Sequence, residues 1–269
     1  MTAPKLSGSV VDTGAAAEFM GEILLKVPEQ ELGAIAAECE RKAGRFSEML
    51  GDGRVHDLDR ADLRGVLRSV FASRGKAEAF LEAHGPGRLA SEIDRLLRGS
   101  DPVGDRLERF HELFGQFTGA EVDLASELLH FTHPERYWLW SRWMWDPRIE
   151  TGALRLVTDE ELDLVAATAG ETYMKVGEAL AFVAETGRAV GFTSYGDSPF
   201  GIDVFLACVY GIYVYTVLRM RMTQEFNRIV PELPDLVRRL LGVKHPEALS
   251  PPPPHSEVAE PAAARPGRS

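Results

Sequence analysis

Residues Tyr137 to Trp145 read YWLWSRWMW, and this stretch holds all four tryptophans of a 269-residue chain. Wound as α-helix, successive residues turn by about 100°. Trp138 and Trp145 then share one face, and Trp140 and Trp143 fall nearly opposite. Tyr137, Leu139 and Met144 fill most of the remaining directions, leaving only Ser141 and Arg142 polar. A helix that is apolar on all sides has to be covered by its own protein or by a partner. The segment therefore marks the centre of a core or a contact surface, and the expectation is a buried helix over His133–Trp145.

Apolar residues recur at helical spacing along most of the chain. The pattern predicts helices over Ala15–Lys26, Pro28–Met49, Arg60–Ser73, Lys76–Ala83, Arg88–Leu97, Pro102–Phe117 and Glu121–Phe131. Beyond the tryptophans it predicts Asp159–Thr186, Ile202–Val230 and Pro234–Leu241. Asp101 before Pro102 reads as an N-cap, and Thr132–Glu135 and Thr158–Glu161 both fit the capping box. Gly119, Gly187 and Gly242 read as C-terminal stops. No strand pattern competes: Val209–Val217 is rich in β-branched and aromatic residues, but its apolar stripe continues at four-residue spacing through Phe226 and Val230. The fold class that follows is all-α, a multi-helix orthogonal bundle of about ten helices with a disordered proline-rich C-terminal tail. The expected division is a flexible N-terminus over residues 1–10, one helical domain over 11–245 and a disordered tail over 246–269. If the domain has two lobes, they divide near Gly119–Ala120.

Charge narrows the function classes. The chain carries a formal charge of −11. Residues 101–200 hold 8 basic and 18 acidic groups, a local charge of −10 around the tryptophans. That field opposes nucleic acid and anionic membranes and favours basic partners or cations. The two cysteines, Cys39 and Cys208, lie far apart in apolar contexts, as reduced thiols of a cytoplasmic protein would. The N-terminus lacks the charged-then-apolar pattern of a signal peptide.

Four segments are candidate sites. Glu108/His111 and Glu127/His130 are Glu-x-x-His pairs, the spacing that presents two ligands on one helix face in di-metal carboxylate bundles. Glu171, Glu178 and Glu185, seven apart, would supply a further carboxylate; the competing reading is surface ion pairs and a polar flank of the core. His130 and His133 also form an H-x-x-H, interrupted by the Thr132 cap. Gly187–Gly201 holds four glycines in fifteen residues and exposes Tyr195 and Asp197, without the signature of a phosphate-binding loop. Val204–Leu218 is fifteen residues without a charge, closed by Arg219 and Arg221. That is short of the roughly 20 needed to span a bilayer, so a buried core helix is expected, with peripheral membrane contact as the alternative. No nucleophile elbow or local Cys–His pairing points to covalent catalysis.

Ala125–Phe131, followed by Pro134–Tyr137, resembles a helix-break-helix segment of bacterial helical proteins related to DNA glycosylases. Trp140 stands before Ser141-Arg142 where that pattern has an aspartate, and the glycine-rich hairpin and catalytic lysine or aspartate context are missing. What the resemblance implies is a shared way of packing helices. The functional expectation is a non-catalytic protein-interaction, accessory or assembly factor that binds another protein or itself and not nucleic acid, through Tyr137, Trp138, Trp140, Arg142, Trp143 and Trp145. No cofactor is expected. The alternatives are a divalent-metal enzyme or metal-binding protein using Glu108, His111, Glu127 and His130, and a binder of a small apolar ligand.

Overall fold

A computed structural model describes residues 10–114, 120–190, 198–221 and 231–244. The described residues form ten α-helices and no strand beyond two isolated bridges. They are α1 (Thr13–Lys26), α2 (Glu29–Leu50), α3 (Arg60–Ser69), α4 (Ala77–His84), α5 (Pro86–Arg98) and α6 (Val103–Phe114). After them come α7 (Ala120–Thr132), α8 (Ala169–Val190), α9 (Gly201–Arg221) and α10 (Leu233–Leu240). The all-α bundle read from the sequence is the observed fold. The proline-rich tail and the Gly119 stop lie outside the described residues.

Local chemistry sets the helix ends. The Asp12 carboxylate accepts from Ala15 N at 2.9 Å and starts α1. Asp59 and Asp62 exchange side-chain-to-backbone bonds in a capping box that starts α3. Gly242 stops α10 as expected, with Val243 N bonded back to Arg238 O at 2.9 Å. Gly187 does not stop α8, which runs on to Val190.

Two expected helix starts are corrected. The box at Thr158–Glu161 does not start a helix: Thr158 Oγ1 donates to Leu154 O, and Asp159 forms a local turn by accepting from Glu161 N. The next T-x-x-E, Thr168-Ala-Gly-Glu171, does the capping. Thr168 Oγ1 accepts from Glu171 N at 3.1 Å, and the Glu171 carboxylate accepts from Ala167 N. The second correction is larger. His133–Trp145 is not a helix. One turn closes with Tyr137 N on His133 O at 3.2 Å, residues 137–141 then have no regular secondary structure, and a second turn closes with Trp145 N on Ser141 O at 3.1 Å.

α7 lies at the centre, packed against α2, α5 and α6, while α8 packs on α6, and α9 on α1, α2, α8 and α10. Where α6 crosses α8 the backbones nearly touch: a Cβ on Gly170 would sit 2.2 Å from the Gly104 carbonyl oxygen. The uncharged run of the sequence lies within α9, whose first half, Val204–Val209, is fully buried. No described helix is long and apolar enough to cross a membrane.

Candidate functional site: a polar stripe on α7 and the aromatic strap it holds

From Val122 to Phe131 the only polar side chains of α7 are Asp123, Ser126, Glu127 and His130. Steps of three, one and three put them on one helix face. All four are buried. A buried polar stripe is tolerable only if its groups are bonded, since each orphan costs about 1–3 kcal/mol. Here each finds a partner.

Three of the four hold the aromatic segment. Asp123 accepts from Arg142 N at 2.8 Å and from Arg142 Nε at 3.2 Å. Ser126 Oγ accepts from Trp140 N at 2.5 Å and donates to Trp138 O at 3.4 Å. His130 Nδ1 meets Tyr137 O at 2.8 Å. The pairs 123–142, 126–140 and 130–137 run in opposite senses, so residues 137–142 lie as a strap antiparallel to α7. Backbone groups that a β-neighbour would satisfy are satisfied by helix side chains instead. Tyr173 on α8 adds a hydroxyl bond to Trp138 O at 3.1 Å, and Arg106 on α6 donates to the Tyr137 hydroxyl at 3.1 Å.

The tryptophans follow from this path. Trp140 and Trp145 are 2% and 0% exposed, and Tyr137 and Trp143 are also buried. Trp138 and Arg142 are half-buried. Trp140 Nε1 donates to Trp145 O at 2.9 Å. Beyond Trp143 the chain reverses tightly: Asp146 N bonds Thr151 O at 2.8 Å, and Ala153 N bonds Trp143 O at 3.0 Å. Gly152 has φ +148°, and a Cβ there would lie 2.2 Å from Met144 O, so only glycine closes this turn.

The fourth member, Glu127, joins a buried row of charges. Its carboxylate takes Lys42 Nζ from α2 at 2.6 Å, with both side chains 4% exposed. Lys42 also donates to Leu241 O at 2.9 Å and lies 3.9 Å over the Phe131 ring. His130 Nε2 meets Asp203 of α9 at 2.8 Å. Charges on Lys42, Glu127, His130 and Asp203 alternate in sign and tie α2, α7, α9 and the end of α10 together. Burial pushes the Glu127 carboxyl up, against the pull of Lys42. Burial alone would strip the proton from His130; the Asp203 carboxylate and the Tyr137 carbonyl outweigh it, and the ring holds its proton more tightly than a free histidine. Burial raises Asp123 to about 7 in spite of Arg142. Burial likewise keeps the Cys39 and Cys208 thiols protonated.

The two Glu-x-x-His pairs thus enter different arrangements. Glu127 and His130 belong to the buried row. Glu108, half-buried on α6, accepts from Gly170 N at 2.8 Å at the positive start of α8. His111 is half-buried on α6. Among the described residues no group of three or more His, Cys, Asp or Glu is placed to hold a metal ion. Tyr195 and Asp197 lie outside the described residues. Sequence reasoning missed Lys42, Asp123, Ser126 and Asp203 as members of the centre. The signal for two of them was present, as D-x-x-S-E-x-x-H on an otherwise apolar helix.

An open feature lies elsewhere. A cleft of about 750 Å³ separates the junction of α1 and α2 from α9 and α10. Glu22, Glu31, Glu232 and Asp235 line it, with Tyr215 and Leu233 among the less polar residues. Its two cations are already paired, Lys26 with Glu22 at 3.4 Å and Arg238 with Glu31 at 2.8 Å. Leu25, three residues from Glu22 on the same helix face, is 81% exposed. Compared with known protein families, curated proteins and solved structures, the chain matches none.

Proposed function

We propose that this chain is a non-catalytic binding protein, an accessory or assembly factor that receives a positively charged segment of another protein in the cleft between α1–α2 and α9–α10. The observation that carries this reading is the composition of the cleft. Four carboxylates line it with two cations; Glu22, Glu31 and Asp235 are already paired with Lys26, Arg238 and Lys244, and Glu232 is in no ion pair among the described residues, so it is the acid left to a partner. The exposed Leu25 on the same face offers an apolar contact beside them. The overall charge of −11 steers basic partners toward the surface. The rings of the aromatic segment are core, which moves the contact surface away from Trp140, Trp143 and Trp145.

The test is affinity capture from the native host with the wild type and with a Glu22→Lys/Glu232→Lys variant, both checked for unchanged helix content. A stoichiometric partner held by the wild type, released as salt rises and lost in the variant, is expected. Equal capture by both proteins, or capture of none, refutes the reading.

A further inference from the structure

We propose that His130 is a doubly protonated latch, whose charge state decides whether the aromatic strap stays tied to α7. Geometry carries the inference. Both ring nitrogens lie 2.8 Å from an oxygen that only accepts, Nδ1 from the Tyr137 carbonyl and Nε2 from the Asp203 carboxylate. A neutral imidazole has one N–H and can serve only one of them. With Asp203 ionised, both bonds at once require the imidazolium.

The surroundings fix which bond fails when the proton leaves. Asp203 is 1% exposed, and a buried carboxylate stripped of its donor is the costlier orphan. The remaining N–H therefore stays on Nε2, facing Asp203. The Nδ1 proton goes to solvent base, and the Nδ1 lone pair then opposes the lone pairs of Tyr137 O. The groups facing the ring from the packed elements act in opposite directions, and Asp203 prevails. From α2, the Lys42 cation favours loss of the proton, and from α9, Asp203 resists it. Glu127, one turn back on α7, carries the compensating charge for Lys42. Cys39 of α2 stays a neutral thiol. Phe131 and Phe200 meet the ring edge-on at 5.2 Å each and leave it no room to turn to another acceptor.

The sign follows. A histidine held charged in the folded state contributes stability that is complete below its unfolded pKa and is lost as pH rises through its folded one. Raising the pH through the folded-state pKa of His130, above that of a free histidine, thus releases Tyr137 first, while Ser126 and Asp123 still hold Trp138, Trp140 and Arg142. The latch opens at one end of the strap before the domain unfolds.

Ring-nitrogen NMR of the full-length protein labelled at histidine tests this, read alongside tryptophan emission over the same pH series. Expected are imidazolium shifts for His130 at pH 7, then a single deprotonation at which emission changes while helix content does not. In Asp203→Asn the same emission step should move to lower pH; in His130→Gln it should vanish. A neutral His130 tautomer at pH 7 in the wild type overturns the proposal. So does a deprotonation that leaves emission unchanged, or an imidazolium that persists until the whole protein unfolds.

Discussion

Lys42 shows how much a single buried side chain can hold. Its ammonium carries an ion pair to Glu127, a bond to the Leu241 carbonyl and a contact over Phe131, all out of water. Removing one member of such a pair costs about 3–5 kcal/mol because the other is left charged and buried. Lys42→Ala should therefore lower the unfolding free energy by that order in a urea titration. Lys42→Met/Glu127→Leu should recover most of it, since apolar replacement of a whole buried pair is often neutral. Equal damage from the single and double variants would show that the pair is not coupled. Asp123 makes a different prediction. Its carboxyl titrates at 3.8 when free and at about 7 in the fold, so the folded state binds the proton more tightly. Its contribution is best at low pH, declines as pH rises between those values and is flat above them. Asp123→Asn should remove that slope, read as the difference in unfolding midpoint between the two proteins across the window. Asp123 left a trace in the sequence as part of D-x-x-S-E-x-x-H, but Lys42 was not legible as central. A lone lysine in an amphipathic helix reads as surface, and the burial that changes its role comes from α7, eighty-five positions away.

Elements fared better than residues. Each helix expected outside the tryptophan segment has a counterpart, because each carries a repeating apolar stripe, a local signal; α8 begins at Ala169 rather than Asp159, and residues 222–230 of the expected Ile202–Val230 helix lie outside the described residues. The tryptophan segment failed for a physical reason. It is apolar in every direction, so helical and extended windings bury it equally well, and periodicity cannot choose between them. What chooses is the polar stripe of α7, a neighbour whose register the strap alone does not disclose. The Glu-x-x-His reading failed to see this because Glu127 and His130 were paired with each other rather than with Asp123 and Ser126 on the same face. The long loop before α8 was missed because Thr158-Asp-Glu-Glu161 and Thr168-Ala-Gly-Glu171 fit one motif equally, and only the second has Glu108 of α6 to bond the next free amide. The contact of α6 with α8 also gives an element-scale test. Gly170→Ala places a methyl carbon 2.2 Å from the Gly104 oxygen, and backbone on both sides has to move. A loss of about 1–3 kcal/mol is expected, as for other overpacked sites. A variant as stable as wild type by thermal unfolding would show that the two helices cross with more room than this.

At the scale of the molecule, three regions of the chain meet in one polar seam inside an apolar core. α2 supplies Lys42, α7 the stripe, and α9 Asp203, while the strap and the end of α10 supply backbone carbonyls. The seam fixes the register of the helices in a way that interchangeable apolar contacts do not, and the indoles of Trp140, Trp143 and Trp145 lie buried beside it. The cleft proposed for binding lies further along α9, beside Ile212, Tyr215 and Thr216. The central claim is that the tryptophan-rich stretch is a non-helical strap bonded through the side chains of a helix. Amide hydrogen exchange with backbone chemical shifts over residues 137–142 tests it most directly. Non-helical shifts at Trp138–Trp140 are expected, with slow exchange at Trp140 and Arg142 and a selective loss of protection at Trp140 in Ser126→Ala. Helix-type shifts across the segment, or protection at Trp140 indifferent to the loss of the Ser126 hydroxyl, would contradict it.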